Sequence, residues 1–363
     1  MFRTKLLFAT FLFFTISLNA QRGSLGNATI AAQDTWVNTY TFLTSDANSG
    51  DLQVTVDDNT MSGALFAGNL SAGDLILIIQ MQGADVDINT TAAEPIASGG
   101  WGGTYTAQNS WYSNGYVPLP SEFGQVTNYN NAGNFEYVEV SNVSGGNIIE
   151  LNCGLTKDYT AAGHVQIVRI PRFEDLTVAN NTSITAPNWN GTSGGVIGIE
   201  VNGDLTITGT GTISADDLGF RGGIPDNNTT QSCSTTSNGY LGSFDMNEGA
   251  EKGEGIGGFY TEYDNLYSRY CYGAIANGGG GANYHNAGGG GGSNVGTGTF
   301  YGYGVPDPAY TAAWNLENPS MVGNPSSGGG RGGYTNAETN NDPMTEGPSN
   351  SAWNGDCRRV AGG

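Results

Sequence analysis

Asp175-Leu-Thr-Val178, Ser183-Ile-Thr-Ala186, Gly195-Val-Ile-Gly-Ile-Glu-Val201, Asp204-Leu-Thr-Ile207 and Thr212-Ile-Ser-Ala215 are the stretch that decides the fold. They are very short β-prone runs, recurring at intervals of roughly eight to twelve residues and separated by Asn, Gly and Thr. A β-solenoid needs short strands of this kind with small polar corners, each coil burying its Ile, Leu and Val side chains against the next. Hairpins at the edge of a sandwich share the spacing, so the spacing alone leaves both arrangements open. The coil is the better fit to such short strands.

Upstream the texture differs. Thr35–Leu43, Leu52–Val56, Leu75–Met81, Phe135–Val140, Ile148–Leu151 and Val165–Ile170 alternate with turn residues and read as an antiparallel β domain. Leu75-Ile-Leu-Ile-Ile79 is apolar on both faces, which predicts a central, doubly covered strand. Phe135 and Tyr137 alternate with Glu136 and Glu139, the pattern of a half-buried strand. No segment carries a helical period. The reading is therefore all-β: an N-terminal antiparallel β domain followed by a β-solenoid-like, glycine-rich region.

Downstream, from Phe220, glycine dominates. Gly278–Gly281 and Gly288–Gly292 are uninterrupted runs, and Gly supplies 59 of the 363 residues, against a usual ~7%. Such composition often marks a linker. Here, however, it is mixed with Tyr301, Tyr303, Tyr310 and Trp314, and rings of that size bury surface readily. Consecutive glycines can pack closely because no Cβ holds the backbones apart. The expected organisation is a targeting segment over 1–20, the antiparallel domain over 21–173, the solenoid-like region over 174–272 and a glycine-rich region with aromatic loops over 273–363.

Residues 1–20 have the form of a secretory signal peptide. Arg3 and Lys5 precede the apolar run Leu6–Leu18, and Asn19-Ala20-Gln21 offers a cleavage point. That run is too short for a spanning helix, and no later stretch approaches the length one needs. An oxidising compartment makes disulfides reasonable for Cys153, Cys233, Cys271 and Cys357. Four cysteines allow three connectivities. A Cys233–Cys271 bridge is the most economical, and on the chain-entropy model would contribute roughly 3–4 kcal/mol.

Charge excludes one class of partner. With 33 acidic against 12 basic residues the formal net charge is −21, so the chain repels phosphate backbones and anionic membrane surfaces. A nucleic-acid partner is not expected.

The chain offers little catalytic material. It has two histidines, His164 and His285, neither in a nucleophile-elbow setting or beside a cysteine pair. Asp216-Asp217, at the corner expected after Ile213-Ser-Ala215, and Asp85-Val-Asp87, whose carboxylates alternate onto one face, are hard-oxygen candidates for Ca²⁺; no other cofactor is indicated. The competing reading is a solvated turn. Arg221 could grip a ligand carboxylate, though a structural ion pair suits so acidic a chain better. Trp101, Trp111, Tyr112, Tyr301, Tyr303 and Trp314 are candidates for stacking on sugar rings; the alternative is that they cap the solenoid.

Several stretches together carry a family resemblance. They are Gly73–Gly83, Phe123–Glu136, His164–Pro171, Trp189–Gly195, Gly219–Gly223, Lys252–Ile256 and Asn277–Gly292. In this order they resemble the N-terminal module of large secreted surface proteins of the Bacteroidota, exported by the type IX secretion system and gliding-motility-associated or adhesin-like. The resemblance implies a place outside the cell, with surface glycans or other cell-surface proteins as partners. It also implies that the chain is truncated, since Arg359-Val-Ala-Gly-Gly363 ends where such proteins continue into further glycine-rich solenoid and a sorting domain. The two functional expectations are a non-catalytic structural and adhesion module, or a polysaccharide-active β-helical enzyme or its carbohydrate-binding accessory. Twelve basic residues are few for neutralising an acidic polysaccharide, which favours the first.

Overall fold

A computed structural model of the chain describes residues 22–86, 126–224, 251–258 and 275–279. The fold there is all-β. It opens with two short strands, β1 (Ala28–Ile30) and β2 (Thr35–Trp36), whose hydrogen-bonding partners lie far along the chain.

Six of the next strands form one antiparallel sheet. They are β3 (Thr39–Phe42), β4 (Gln53–Thr55), β5 (Leu75–Gln80), β8 (Phe135–Ser144), β9 (Ile148–Leu151) and β10 (Val165–Ile170), in the order β3-β10-β5-β8-β9-β4. A small pair, β6 (Asp85–Val86) with β7 (Val126–Asn128), stands apart. The sheet curls until its edges meet. Leu43 and Val56 form an antiparallel bridge, with Thr44 N–H donating to Thr55 O and Asp57 N–H to Phe42 O, both at 3.0 Å. Closure makes a barrel and leaves no open edge.

Alternation fills its interior. Val54, Ile76, Ile78, Val138, Val140, Ile149, Leu151, Val165 and Ile167 all point inward and, with Tyr159, form one continuous core. As its sequence predicts, β5 is central and apolar on both faces: Leu77 points outward and packs with Val168 and Ile170. On β8 the alternation of Phe135 and Tyr137 with Glu136 is kept, but Glu139 shares the face of the rings, and that face is the outer one. Val138 and Val140 take the inner face, so Glu136 turns inward with them, and Phe135 and Tyr137 stand outside.

The remaining strands are parallel. β11 (Arg172–Phe173), β12 (Leu176–Val178) and β13 (Ser183–Thr185) make one coil. β14 (Glu200–Val201), β15 (Leu205–Ile207) and β16 (Thr212–Ile213) make the next. Leu176 lies opposite Leu205 and Ile184 opposite Ile213. The coil repeat is thus 28–29 residues, the separation also seen where Asp204 N–H donates to the Asp175 carboxylate and Arg172 reaches Glu200. β1 and β2 complete the stack, pairing in parallel with β12 and β13. The expected 21–173 unit therefore contains the barrel together with a first coil that belongs to the solenoid. The barrel is an excursion, leaving that coil after Asn38 and returning at Pro171. The coil interior is Ile30, Val37, Phe173, Leu176, Val178 and Ile184. Leu205 and Ile207 repeat those positions on the last described coil and are about half exposed.

Side-chain amides clip the barrel to the stack. Gln166, fully buried on β10, donates to Gly194 O and accepts from Gly194 N–H. Asn38 does the same to Gly198, and also donates to Arg169 O at 2.9 Å. Gly198 passes so close to Ile170 that any side chain would collide with it. Arg172 provides the charged link. Its guanidinium, 4% exposed, donates to Glu139 on β8 at 2.7 Å, to Gly73 O at 3.2 Å, and to Glu200 on β14. Burial works against its charge. The hydrogen bonds and charges of Glu200 and Glu139 outweigh that and hold its pKa above the usual arginine value.

Two predictions follow from this packing. Replacing Arg172 by Met strands two carboxylates that are 27% and 23% exposed, and denaturant unfolding should show a loss of about 3 kcal/mol, the low end for a broken buried pair. Burial raises the Tyr159 phenol pKa, with the Glu136 charge and hydrogen bond adding to it. The folded state thus keeps a proton that the unfolded chain releases near pH 10. Stability is full below that pH and falls above it by about 1.4 kcal/mol per unit. Melting curves between pH 9 and 11.5 should show a shallower alkaline decline in Tyr159→Phe than in the wild type.

Candidate functional site

Described residues from several of the stretches that carry the family resemblance, far apart in sequence, meet in one place. Gln82 follows β5, and His164 precedes β10 in a left-handed conformation that closes the short 3₁₀ turn Ala161–Gly163. Trp189 follows β13. Arg221 follows the last described coil. Gln82, Trp189 and Arg221 converge on the segment 251–258, and His164 packs beside them against the Trp189 ring.

Glu254 is the hub. Its side chain has no solvent exposure. Oε1 accepts from Gln82 Nε2 at 2.8 Å, Trp189 Nε1 at 2.9 Å and Arg221 Nη2 at 3.1 Å. Oε2 accepts from the Arg221 backbone N–H and from Arg221 Nε, each at 2.9 Å. The Arg221–Glu254 pair is therefore bidentate and closed by further donors. Around it, Gly83 N–H and Ala84 N–H donate to Ile256 O, Gly253 N–H to Gly279 O, and Ile256 N–H to Asn277 Oδ1. The Trp189 ring, 2% exposed, meets His164 and Phe220 edge-on at 6.5 and 6.1 Å. Glu251 and Lys252 are buried beside it.

Both oxygens of Glu254 are committed within the chain. The cluster ties four segments together, and both Glu254 oxygens are buried in it. Arg221 has the intrachain carboxylate partner that suits an acidic chain. A second buried cation behaves alike: Arg169 donates to Asp74 at 2.8 Å and to Met61 O and Gly68 O, and it stacks 4.0 Å over Phe66.

The other sequence candidates are dispersed. Asp85 is exposed on β6, opposite Asn128. Asp216 and Asp217 lie exposed in the turn after β16, with Asp217 in a left-handed conformation and Asp216 N–H bonded to Ser214 Oγ. Among the described residues no group of three or more His, Cys, Asp or Glu side chains is placed to hold a metal ion. Asp87, Trp101, Trp111, Tyr112, Cys233, Cys271, Tyr301, Tyr303, Trp314 and His285 lie outside the described residues. Cys153 is exposed and unbridged. The sequence reading missed the outward pair Phe135 and Tyr137, 54% and 55% exposed. Its signal was the valines at 138 and 140, which fix the inner face of β8.

No protein-family model matches the chain, and no curated protein matches it in sequence. Among solved structures it aligns with the tailspike of Acinetobacter baumannii bacteriophage AP22 in complex with A. baumannii capsular saccharide (16% identity, 50% of this chain, 23% of that chain, TM-score 0.20). It also aligns with tailspikes of Pseudomonas phage LKA1 (14%, 45%, 27%, 0.19) and Pseudomonas phage phi297 (11%, 52%, 25%, 0.20). The chain spans about a quarter of the length of these proteins. At such TM-scores the alignments add nothing to the site, and the fold assignment rests on the strand pairing described above.

Replacing Glu254 by Gln should cost about 1.5–3 kcal/mol in denaturant unfolding, because the amide puts a donor where the buried carboxylate accepted from Arg221, Gln82 and Trp189. Hydrogen exchange should speed up first at the amides of 253–256, which that cluster holds.

Proposed function

We propose that the chain is a secreted or cell-surface structural and adhesion module without catalytic activity, of the kind found at the front of large Bacteroidota surface proteins, and that it engages surface glycans or other cell-surface proteins. The observation that carries this reading is how its charges are used. Arg169, Arg172, Arg221 and Glu254, the groups with the most elaborate surroundings, spend their hydrogen bonds inside the chain, and those of Arg172 and Glu254 fix a barrel on a coil stack. Such an arrangement supports a stiff display platform, and weak contacts repeated over a surface gain affinity from number. The signal-like segment 1–20 and the acidic balance accord with a place outside the cell. Among the described residues no helix is long and apolar enough to cross a membrane.

The competing reading is a polysaccharide-active β-helical enzyme, for which the parallel coil stack is the favouring observation. A panel of algal and plant polysaccharides separates the two. We expect no reducing-sugar or unsaturated product from any of them, and no difference between the wild type and Asp216→Asn. Product release that Asp216→Asn abolishes would establish the enzyme instead.

A further inference from the structure

We propose that the outer face of β8 and β9 is a binding site for a neutral, hydroxyl-rich glycan, with Phe135 and Tyr137 as its stacking platform. The proposal rests on the adhesion reading above and gives it a location and a ligand class.

The rings are outside because the strand register puts them there and the interior holds that register. Val138 and Val140 fill the barrel, so Glu136 lies on the inner face. It is received there: Tyr159 Oη, Thr156 Oγ1 and Thr156 N–H donate to its carboxylate at 3.0 Å, and Lys157 N–H at 3.2 Å. A slip of one residue would bury the rings, but it would also expel two core valines and break these four hydrogen bonds. The fold thus holds two large rings in water, a little over half exposed, on a paired and rigid strand. Alternate residues on a strand are roughly 6.8 Å apart along it and share a face. The rings therefore stand side by side, suited to the apolar C–H faces of sugar rings.

The same face supplies hydrogen-bonding groups. Glu139 follows Tyr137 on it, and beyond the irregularity between Val140 and Asn142, Asn142 lies opposite Glu150. Asn142 Nδ2 donates to Glu150 Oε1 at 3.2 Å and Asn152 Nδ2 to Glu139 Oε2 at 3.4 Å. These amide–carboxylate pairs are oriented and exposed, and they offer donors and acceptors to hydroxyls.

Charge selects the occupant. Glu139 lies next to Tyr137 on this face and Glu150 beyond it, and Arg172 is already committed to Glu139 and Glu200. The whole chain carries −21, so an anionic glycan is repelled and a neutral one is not. The size of the strip points the same way. A stable protein interface needs about 800 Å² on each side around an apolar centre. Here the two rings give way to a polar row toward β9, and toward β5 the opposing Leu77 is already covered by Val168 and Ile170.

Affinity electrophoresis of the full chain tests this, in gels containing laminarin, xylan or mannan as neutral polymers and alginate or polygalacturonate as acidic ones. We expect at least one neutral gel to retard the wild type. Phe135→Ala/Tyr137→Ala should bind at least tenfold more weakly with an unchanged melting temperature, and Phe135→Tyr/Tyr137→Phe should keep the retardation. If the double alanine variant does not fold, Tyr137→Ser alone is read in the same way. Retardation that survives loss of the rings overturns this site and leaves glycan adhesion standing. Retardation by acidic gels alone overturns the neutral assignment. No retardation in any gel removes the glycan reading itself. If light scattering shows a wild-type dimer that loss of the rings dissociates, the face is a self-interface and the proposal falls.

Discussion

Arg172 is where the parts of this molecule meet. It sits on the first parallel strand after the barrel, and its nearly buried guanidinium reaches a carboxylate on the barrel, a carboxylate on the next coil and a carbonyl of the turn before β5. A guanidinium suits this position because its planar fork carries several donors and stays charged when desolvated. Lysine would offer one ammonium centre and could not reach the three acceptors together. The two glutamates offset the cost of burying the charge and hold the Arg172 pKa above the usual arginine value.

That junction makes an unusual topology workable. A closed barrel interrupts the first coil of a parallel stack, and the coil resumes far along the chain in register with its own beginning. Two conditions allow it. The barrel brings its ends together, with β3 and β10 adjacent and antiparallel, so the excursion begins and ends at one place. The outer face of those strands carries Asn38 and Gln166, whose amides imitate a β ladder against 194–198. Glycines at 194 and 198 let the backbone come near enough, Gly194 in a positive-φ conformation. Polar groups that would be stranded by burial satisfy each other instead.

Function follows from where the interactions are spent. The buried ion pairs make the body rigid and leave those charges little to do at the surface. The surface retains acidic groups, amides and a few rings held outward by the register of β8. Gln82, Trp189 and Arg221 meet on Glu254 and hold the segment 251–258 against both the barrel and the last described coil.

Much of the fold was legible in the sequence. The doubly apolar Leu75–Ile79, the alternating runs up to Ile170 and the short strands from Asp175 each state their own environment, because the side-chain period of a strand is local. Asp175-Leu-Thr-Val178 and Asp204-Leu-Thr-Ile207 even give the coil repeat. Three things were not legible, and for one physical reason. The pairing of 28–36 with 176–185, the union of Gln82, Trp189 and Arg221 on Glu254, and the outward turn of Phe135 and Tyr137 all depend on contacts between distant residues. Alternation says that Phe135 and Glu136 face opposite ways; which way is inward is decided by which of them the closed barrel can fill and satisfy. Sequence determined the strands and their periods, and tertiary structure decided their partners and the face each presents to water.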